Sequence, residues 1–481
     1  MKESSRFYSS LGLLIMLNLI IKPVWIFAID RHVQLSVGTE MYGTYFSLLS
    51  FSFVFSFLLD GGLTAFFNRQ LAANKENFID KAGSFFFIKI VFAFLYAAIV
   101  FGVAFLSGIK RWDILLDVII IQALTSLFVF LRSIITSQQL FRTDAWLSVL
   151  DKGLMIILCG SFFYLPFATG EITIEFFLLI QIACTLMAII TTFIILFKKK
   201  ILFSLPGKPL FDYSLLKPVV PFAIIVLLMS VHYRFAGFLV ERIHHNGAYE
   251  AGIYAGAFRL LDATTMIGFL VASFLLPFIA RQWGRQHDIH EVVLTSRHLL
   301  MLFSLIIIVT TIFLAPWIQQ LLYHNNDENA IAVLQWCLPA LAGYSLVQIY
   351  GTVMTATGQV VQFCFIILGA VALNIVLNLL LIPDWGAKGC CIAAFISQGL
   401  CGITTMVYVQ KRIQINIHLR SLLMYIFIAA ILCIVYFYGI DIVSNKWLLI
   451  ATAALITLVL AVILKLADIR KWRHILNQNN Q

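Results

Sequence analysis

Residues 360–410, VVQFCFIILGAVALNIVLNLLLIPDWGAKGCCIAAFISQGLCGITTMVYVQ, decide the fold class. About 20 consecutive apolar residues cross a bilayer as a helix, and this stretch holds two such runs, 360–382 and 387–410, on either side of a short turn. Pro383 lacks the amide needed to continue a helical ladder, and Gly386 and Gly389 permit a tight reversal. Ala393, Ala394 and Ser397 are small enough for the returning helix to lie close against the first. The unit is a hairpin of two membrane helices.

The same reading extends over the whole chain. Of 481 residues, 61% are hydrophobic and 12% charged, and the mean hydropathy of +0.96 lies well above that of a soluble domain. Further spans are read at 8–29, 41–67, 83–107, 114–138, 145–166, 173–197, 217–240, 250–279, 295–322, 331–356, 421–440 and 447–466. The expectation is an all-α polytopic membrane protein of about fourteen transmembrane helices. The first is not a signal peptide, because its apolar run is too long, Lys22 and Pro23 interrupt it, and no small-residue cleavage site follows. All eight cysteines fall in apolar segments without CxxC spacing and are read as packing residues.

A net charge of +10 in a soluble chain would point to nucleic acid; here its distribution points to topology. With the N-terminus inside, 21 of the 33 lysines and arginines fall on the inner side, 6 on the outer side and 6 within spans. That is the positive-inside pattern, and it predicts an even number of spans with both termini cytoplasmic.

No loop can hold a separate soluble domain. The largest, with Lys198-Lys199-Lys200, Pro206, Gly207 and Pro209, divides the first six spans from the next six. The halves resemble each other: Gly43-Thr44-Tyr45 opens the second span as Gly252-Ile253-Tyr254 opens the eighth, and Ile134-Ile135-Thr136-Ser137 matches Val353-Met354-Thr355-Ala356. Six spans per half make parallel repeats. The expected organisation is a six-helix lobe over 1–200, a cytoplasmic linker over 201–216, a second six-helix lobe over 217–412 around a common central cavity, and two further helices with a cytoplasmic tail over 413–481.

Within the spans sit Lys22, Lys89, Arg132, Lys152, Arg234 and Arg259. A lone cation there costs at least about 2.5 kcal/mol, so each needs a partner or a task, and cations facing an internal cavity make a path for an anionic passenger. Lys22, Arg234 and Arg259 lie on equivalent first and second helices of the two halves and are expected to converge, with Arg132 and Asp151-Lys152 nearer the cytoplasm. Arg259 and Asp262, three apart on one helical face, either neutralise each other or leave Arg259 for a ligand. Neighbouring Asp151 and Lys152 point in different directions, so each is expected to find its own partner. Lys89 is expected to snorkel to the interface. Asp60 precedes Gly61-Gly62, which could loosen the helix and expose carbonyls to a substrate or cation. Asp60 and Asp262 are candidates for binding a proton or Na⁺, with structural roles as the alternative.

The run Asn374-Ile375-Val376-Leu377-Asn378, then Ile382-Pro383, Gly386, Gly389 and Ala393, together with the two G-x-Y openings and Asp60-Gly61-Gly62, resembles the polysaccharide-biosynthesis branch of the multidrug/oligosaccharidyl-lipid/polysaccharide exporter superfamily. The likeness covers roughly residues 8–466 and is similar to Wzx-type flippases of O-antigen or exopolysaccharide repeat units. It implies alternating access by two lobes in a bacterial cytoplasmic membrane. The implied substrate is an undecaprenyl-pyrophosphate-linked oligosaccharide, met by Lys22, Arg234 and Arg259, and the implied partners are the polysaccharide polymerase and chain-length machinery. No cofactor is expected beyond coupling to H⁺ or Na⁺, and without a GxxxxGK[ST] loop ATP hydrolysis is unsupported. A cation-coupled multidrug exporter of the same superfamily is the alternative, and a non-transporting membrane assembly protein a more distant one.

Overall fold

The computed structural model describes residues 2–64, 82–164, 172–199, 220–414 and 419–466. The linker 201–216, Arg69 and the tail from Asp468 lie outside the described residues. The described segments are helices: α1 (Lys2–Val24), a π-helical turn (Trp25–Asp30), α2 (Arg31–Val37), α3 (Thr39–Val54), α4 (Phe57–Asp60), α5 (Ala82–Leu106), α6 (Trp112–Ser137), α7 (Phe141–Leu147), α8 (Leu150–Tyr164) and α9 (Ile174–Lys198). They continue with α10 (Val220–Ile243), α11 (Gly247–Gly284), α12 (His290–Tyr323), α13 (Glu328–Cys337), α14 (Ala340–Ala356), α15 (Val360–Ile413), α16 (Leu419–Ile442) and α17 (Lys446–Ile463).

Among the described residues, twelve continuous helical stretches are long and apolar enough to cross a membrane. Two more spans are concealed by breaks. Val360–Ile413 is a single stretch of 54 residues, but Gly386 at φ 49° and ψ −130° interrupts it, making two helices. The second span is split instead, into α3 and α4, by the turn at Phe55-Ser56. Fourteen apolar segments result, as the sequence predicts. Pro383 does not end its helix; the reversal waits for Gly386, where the backbone takes a dihedral pair that only glycine adopts readily. A Cβ on Gly389 would meet the Leu381 carbonyl oxygen at 2.7 Å, so glycine there lets the second helix start against the first. Asn374 Nδ2 then donates to Ser397 Oγ at 3.0 Å, and Asn378 Nδ2 to Asn374 Oδ1 at 2.9 Å, joining the two legs inside an apolar hairpin.

Helix starts follow side-chain chemistry. Thr173, Asp327 and Asn445 each stand in extended backbone and accept an amide bond from the first turn of α9, α13 and α17. Thr136 of α6 and Thr355 of α14 both bond back to their own helix, and three residues on, Gln139 (φ 61°) and Gly358 (φ 82°) both take left-handed backbone before the next helix begins.

Contacts divide the chain into two compact units, Met1–Ala255 and Gly256–Gln481, the division falling within α11. In the first unit, α3 packs on α10 and α6 on α9. The two G-x-Y glycines face one another there: a Cβ on Gly43 would fall on the Ala248 carbonyl oxygen, and one on Gly252 on that of Thr39. Helices approach this closely only where a side chain is absent. In the second unit, α14 packs on α15, and α16 and α17 pack on α12. All eight cysteines are free, six of them buried.

Candidate functional site

The densest set of intramembrane charges lies in the first unit, on α1, α6, α7 and α8. Pro23 withholds an amide near the end of α1, and the chain answers with the π-helical turn Trp25–Asp30 before α2 resumes. Lys22 stands in the last turn of α1 and senses the charges of Asp151, Arg132 and Lys152. Arg132 Nε donates to Asp144 Oδ1 at 2.8 Å, and its guanidinium lies over the Phe128 ring at 5.8 Å. Lys152 Nζ is 3.4 Å from Asp151 Oδ2 and 4.5 Å from the centroid of Trp25, in the π-helical turn. Asn18 Nδ2 ties α1 to Ser148 Oγ at 2.8 Å. Three basic side chains and two carboxylates thus lie within electrostatic reach of one another, in two pairs, Arg132 with Asp144 and Lys152 with Asp151.

Sequence reading put Asp151-Lys152 toward the cytoplasm and apart from Lys22. The structure places Lys22 within electrostatic reach of both. The expectation of separate partners for Asp151 and Lys152 is also corrected: the flexible lysine stem reaches back to its neighbour. Asp144, the 4% exposed partner of Arg132, was missed, having been read as part of an inner loop.

Lys89 and Asp60 form a second, closed assembly. Lys89 does not snorkel. It is 4% exposed and donates to the Leu59 carbonyl at 3.1 Å, to Ser126 Oγ at 3.0 Å and to Asp60 Oδ1. Gly61 (φ 51°) and Gly62 (φ 79°) end α4 in left-handed backbone, as the double glycine foretold, and the Leu59 carbonyl so exposed is taken by the protein's own lysine. Asp60 also accepts from Thr64. An apolar cleft of about 320 Å³ between α5 and α6 ends at this lysine, whose three donors all point to protein acceptors.

Arg234, on α10, lies 5.1 Å from the ring centroids of both Phe53 and Tyr233. It is not among the charges that Lys22 senses. Arg259, 7% exposed, stands 4.0 Å from Asp262 one turn along α11, in the second unit. Each carboxylate singled out from sequence therefore has a cation beside it: Asp60 with Lys89, Asp151 with Lys152, Asp262 with Arg259. Sequence reasoning also missed Asp30, 1% exposed at the end of the π-helical turn, which accepts from the Tyr42 hydroxyl at 2.6 Å. Its signal was present in the charge pattern but was read as the outer end of the first span.

Residues 221–380, about a third of the chain, match the family model MatE. No curated protein matches the chain. Among solved structures, lipid II flippase MurJ in an inward closed conformation superposes with a TM-score of 0.73 over 94% of this chain and 98% of that one, at 13% identity. An inward-facing multidrug resistance MATE family transporter of the MOP superfamily gives 0.62 over 85% and 98%, at 14% identity. A variant of the Vibrio cholerae MATE transporter VcmN gives 0.57 over 87% and 99%, at 15% identity. At these identities the likeness speaks for fold. Among the described residues the chain carries many helices long and apolar enough to cross a membrane, and its fold is the one seen in MurJ and the MATE proteins.

Proposed function

We propose that this protein is a flippase that carries an anionic lipid-linked oligosaccharide across a bacterial cytoplasmic membrane by alternating access, in surface polysaccharide assembly. One observation carries the reading: Lys22, Arg132 and Lys152 gather inside the membrane with Asp144 and Asp151. Unit charges 4 Å apart interact by about 4 kcal/mol at an effective dielectric of 20, so a cation there without an ion pair attracts a pyrophosphate and repels a cationic drug. The higher TM-score and coverage for the lipid II flippase than for the multidrug transporters agree with this. Replacement of Arg234 or Arg259 by alanine should impair transport, with lysine restoring part where charge alone suffices. Both termini are placed in the cytoplasm on the charge asymmetry, and the polymerase and chain-length machinery are the partners in this reading.

A second reading, ion-coupled export, is favoured by Asp30. A carboxylate buried at the end of a π-helical turn, accepting from the Tyr42 hydroxyl, has the chemistry of a proton or Na⁺ site. The test is flipping of a fluorescent lipid-linked oligosaccharide in vesicles, run beside efflux of a cationic dye. The flippase reading expects Lys22→Ala and Lys152→Ala to lose flipping about tenfold or more with no dye efflux in any variant. Dye efflux by the parent protein that Asp30→Asn abolishes, without oligosaccharide flipping, would replace it by the second.

A further inference from the structure

Arg297 heads the largest fully enclosed side chains among the described residues, with 0% of its surface exposed. From its place near the start of a span it counts among inner-loop cations; the structure puts it inside the second unit, between α12, α14 and α16. Its Nη1 donates to the Tyr350 hydroxyl at 3.4 Å, a long bond, and its guanidinium carbon lies 6.0 Å from the ring centroid of Tyr425. The Tyr425 hydroxyl is engaged with His298 Nδ1 at 2.5 Å. Nε and Nη2 have no partner at full hydrogen-bond geometry, although the Tyr425 hydroxyl lies close enough to interact with the guanidinium, and no ion pair with Arg297 occurs among the described residues.

These two nitrogens are not an arbitrary pair. They form one edge of the guanidinium, the edge that grips a carboxylate or phosphate through two parallel bonds. A cation enclosed in protein without a counter-charge is strongly disfavoured, and here the donors left short are the two that a planar oxyanion would take together. Arg297 is seven residues from the start of α12, Tyr425 six from the start of α16 and Tyr350 six from the end of α14, so all three lie about 10 Å from helix ends. The seam is also where α16, outside the internal repeat, packs on α12.

We propose that Arg297, assisted by Tyr350 and Tyr425, is a binding site for a phosphate-bearing oxyanion, drawn from an anionic phospholipid headgroup or from free phosphate, at the seam of α12 and α16. It is independent of the transport reading. Because the guanidinium is enclosed, the helices must part for exchange, which makes binding slow and lets a bound lipid survive purification.

The experiment uses the full chain purified in detergent. Native mass spectrometry counts retained phospholipid, and unfolding temperature is measured with phosphatidylglycerol, diacylglycerol or inorganic phosphate added. The parent protein should retain one phospholipid and be stabilised by phosphatidylglycerol but not by diacylglycerol, and Arg297→Gln should weaken that binding about tenfold or more. Stabilisation by inorganic phosphate equal to that by phosphatidylglycerol assigns the site to free phosphate. Should Arg297→Gln fail to fold, Arg297→Lys keeps the charge without the fork and must bind more weakly than the parent, while Tyr350→Phe keeps the fork and must still bind. Equal stabilisation by diacylglycerol, or unweakened phosphatidylglycerol binding in Arg297→Gln or Arg297→Lys, overturns the proposal.

Discussion

Two sets of intramembrane charges in the first unit handle the same electrostatic problem differently. Lys89 is sealed: its three donors meet the Leu59 carbonyl, Asp60 and Ser126, and it is 4% exposed. The set formed by Lys22, Arg132 and Lys152 with Asp144 and Asp151 holds two ion pairs, and Lys22 makes no ion pair among the described residues. A lysine has three donors and no acceptor, so one whose donors are all taken is a structural element, whereas one held only by longer-range fields remains available to a ligand. In the proposed reading the difference separates stability from function.

That contrast predicts where substitutions fall. The largest effect belongs to Asp60→Asn, which strands the enclosed Lys89; it should destabilise by about 3–5 kcal/mol, read from denaturant unfolding in micelles. Lys89→Met strands only Asp60, whose side chain is 36% exposed, and should cost less, about 1–3 kcal/mol. The double variant should recover much of the loss. Additive effects in that cycle would show that the pair is not a unit.

Arg132→Gln comes next. It leaves Asp144 buried without its cation and should destabilise by about 2–3 kcal/mol, less in an Asp144→Asn background. A smaller loss than Lys22→Ala causes would reverse the distinction drawn above. Lys22→Ala itself should shift stability by no more than about 1 kcal/mol while flipping falls about tenfold, so that thermal and transport measurements diverge. Last is the exposed bridge of Arg111 to Asp113 (2.8 Å) and Glu175 (2.6 Å). Glu175→Gln should change stability by about 0–1 kcal/mol, and by less still in high salt.

Much of this was legible in one dimension. Asp60-Gly61-Gly62 foretold a loosened helix with an open carbonyl, and the carbonyl is there; what fills it was not, because Lys89 is 29 residues away and its reach across to α4 is a matter of packing. The G-x-Y glycines were visible as matching openings, yet nothing local says that Gly43 and Gly252 are placed face to face by the crossing of α3 and α11. Asp30 and Asp144 were overlooked for a shared reason. Each lies near the edge of an apolar run, where hydropathy cannot distinguish a solvated loop from a buried turn.

The sequence by itself determined the all-α class, the fourteen apolar segments and the hairpin at Asn374–Ser397, because each follows from a local rule: backbone amides in lipid must be satisfied within a helix, and only proline, glycine and small residues make the exceptions. Tertiary structure alone decided which charges meet. Lys22 came within electrostatic reach of Asp151 and Lys152, Lys89 turned inward to Asp60, and Arg297 was enclosed with two of its nitrogens short of full hydrogen bonds. The physical reason is that a long cationic side chain can reach several neighbours at nearly equal local cost, and the choice among them is made by helices that approach one another only in the folded protein.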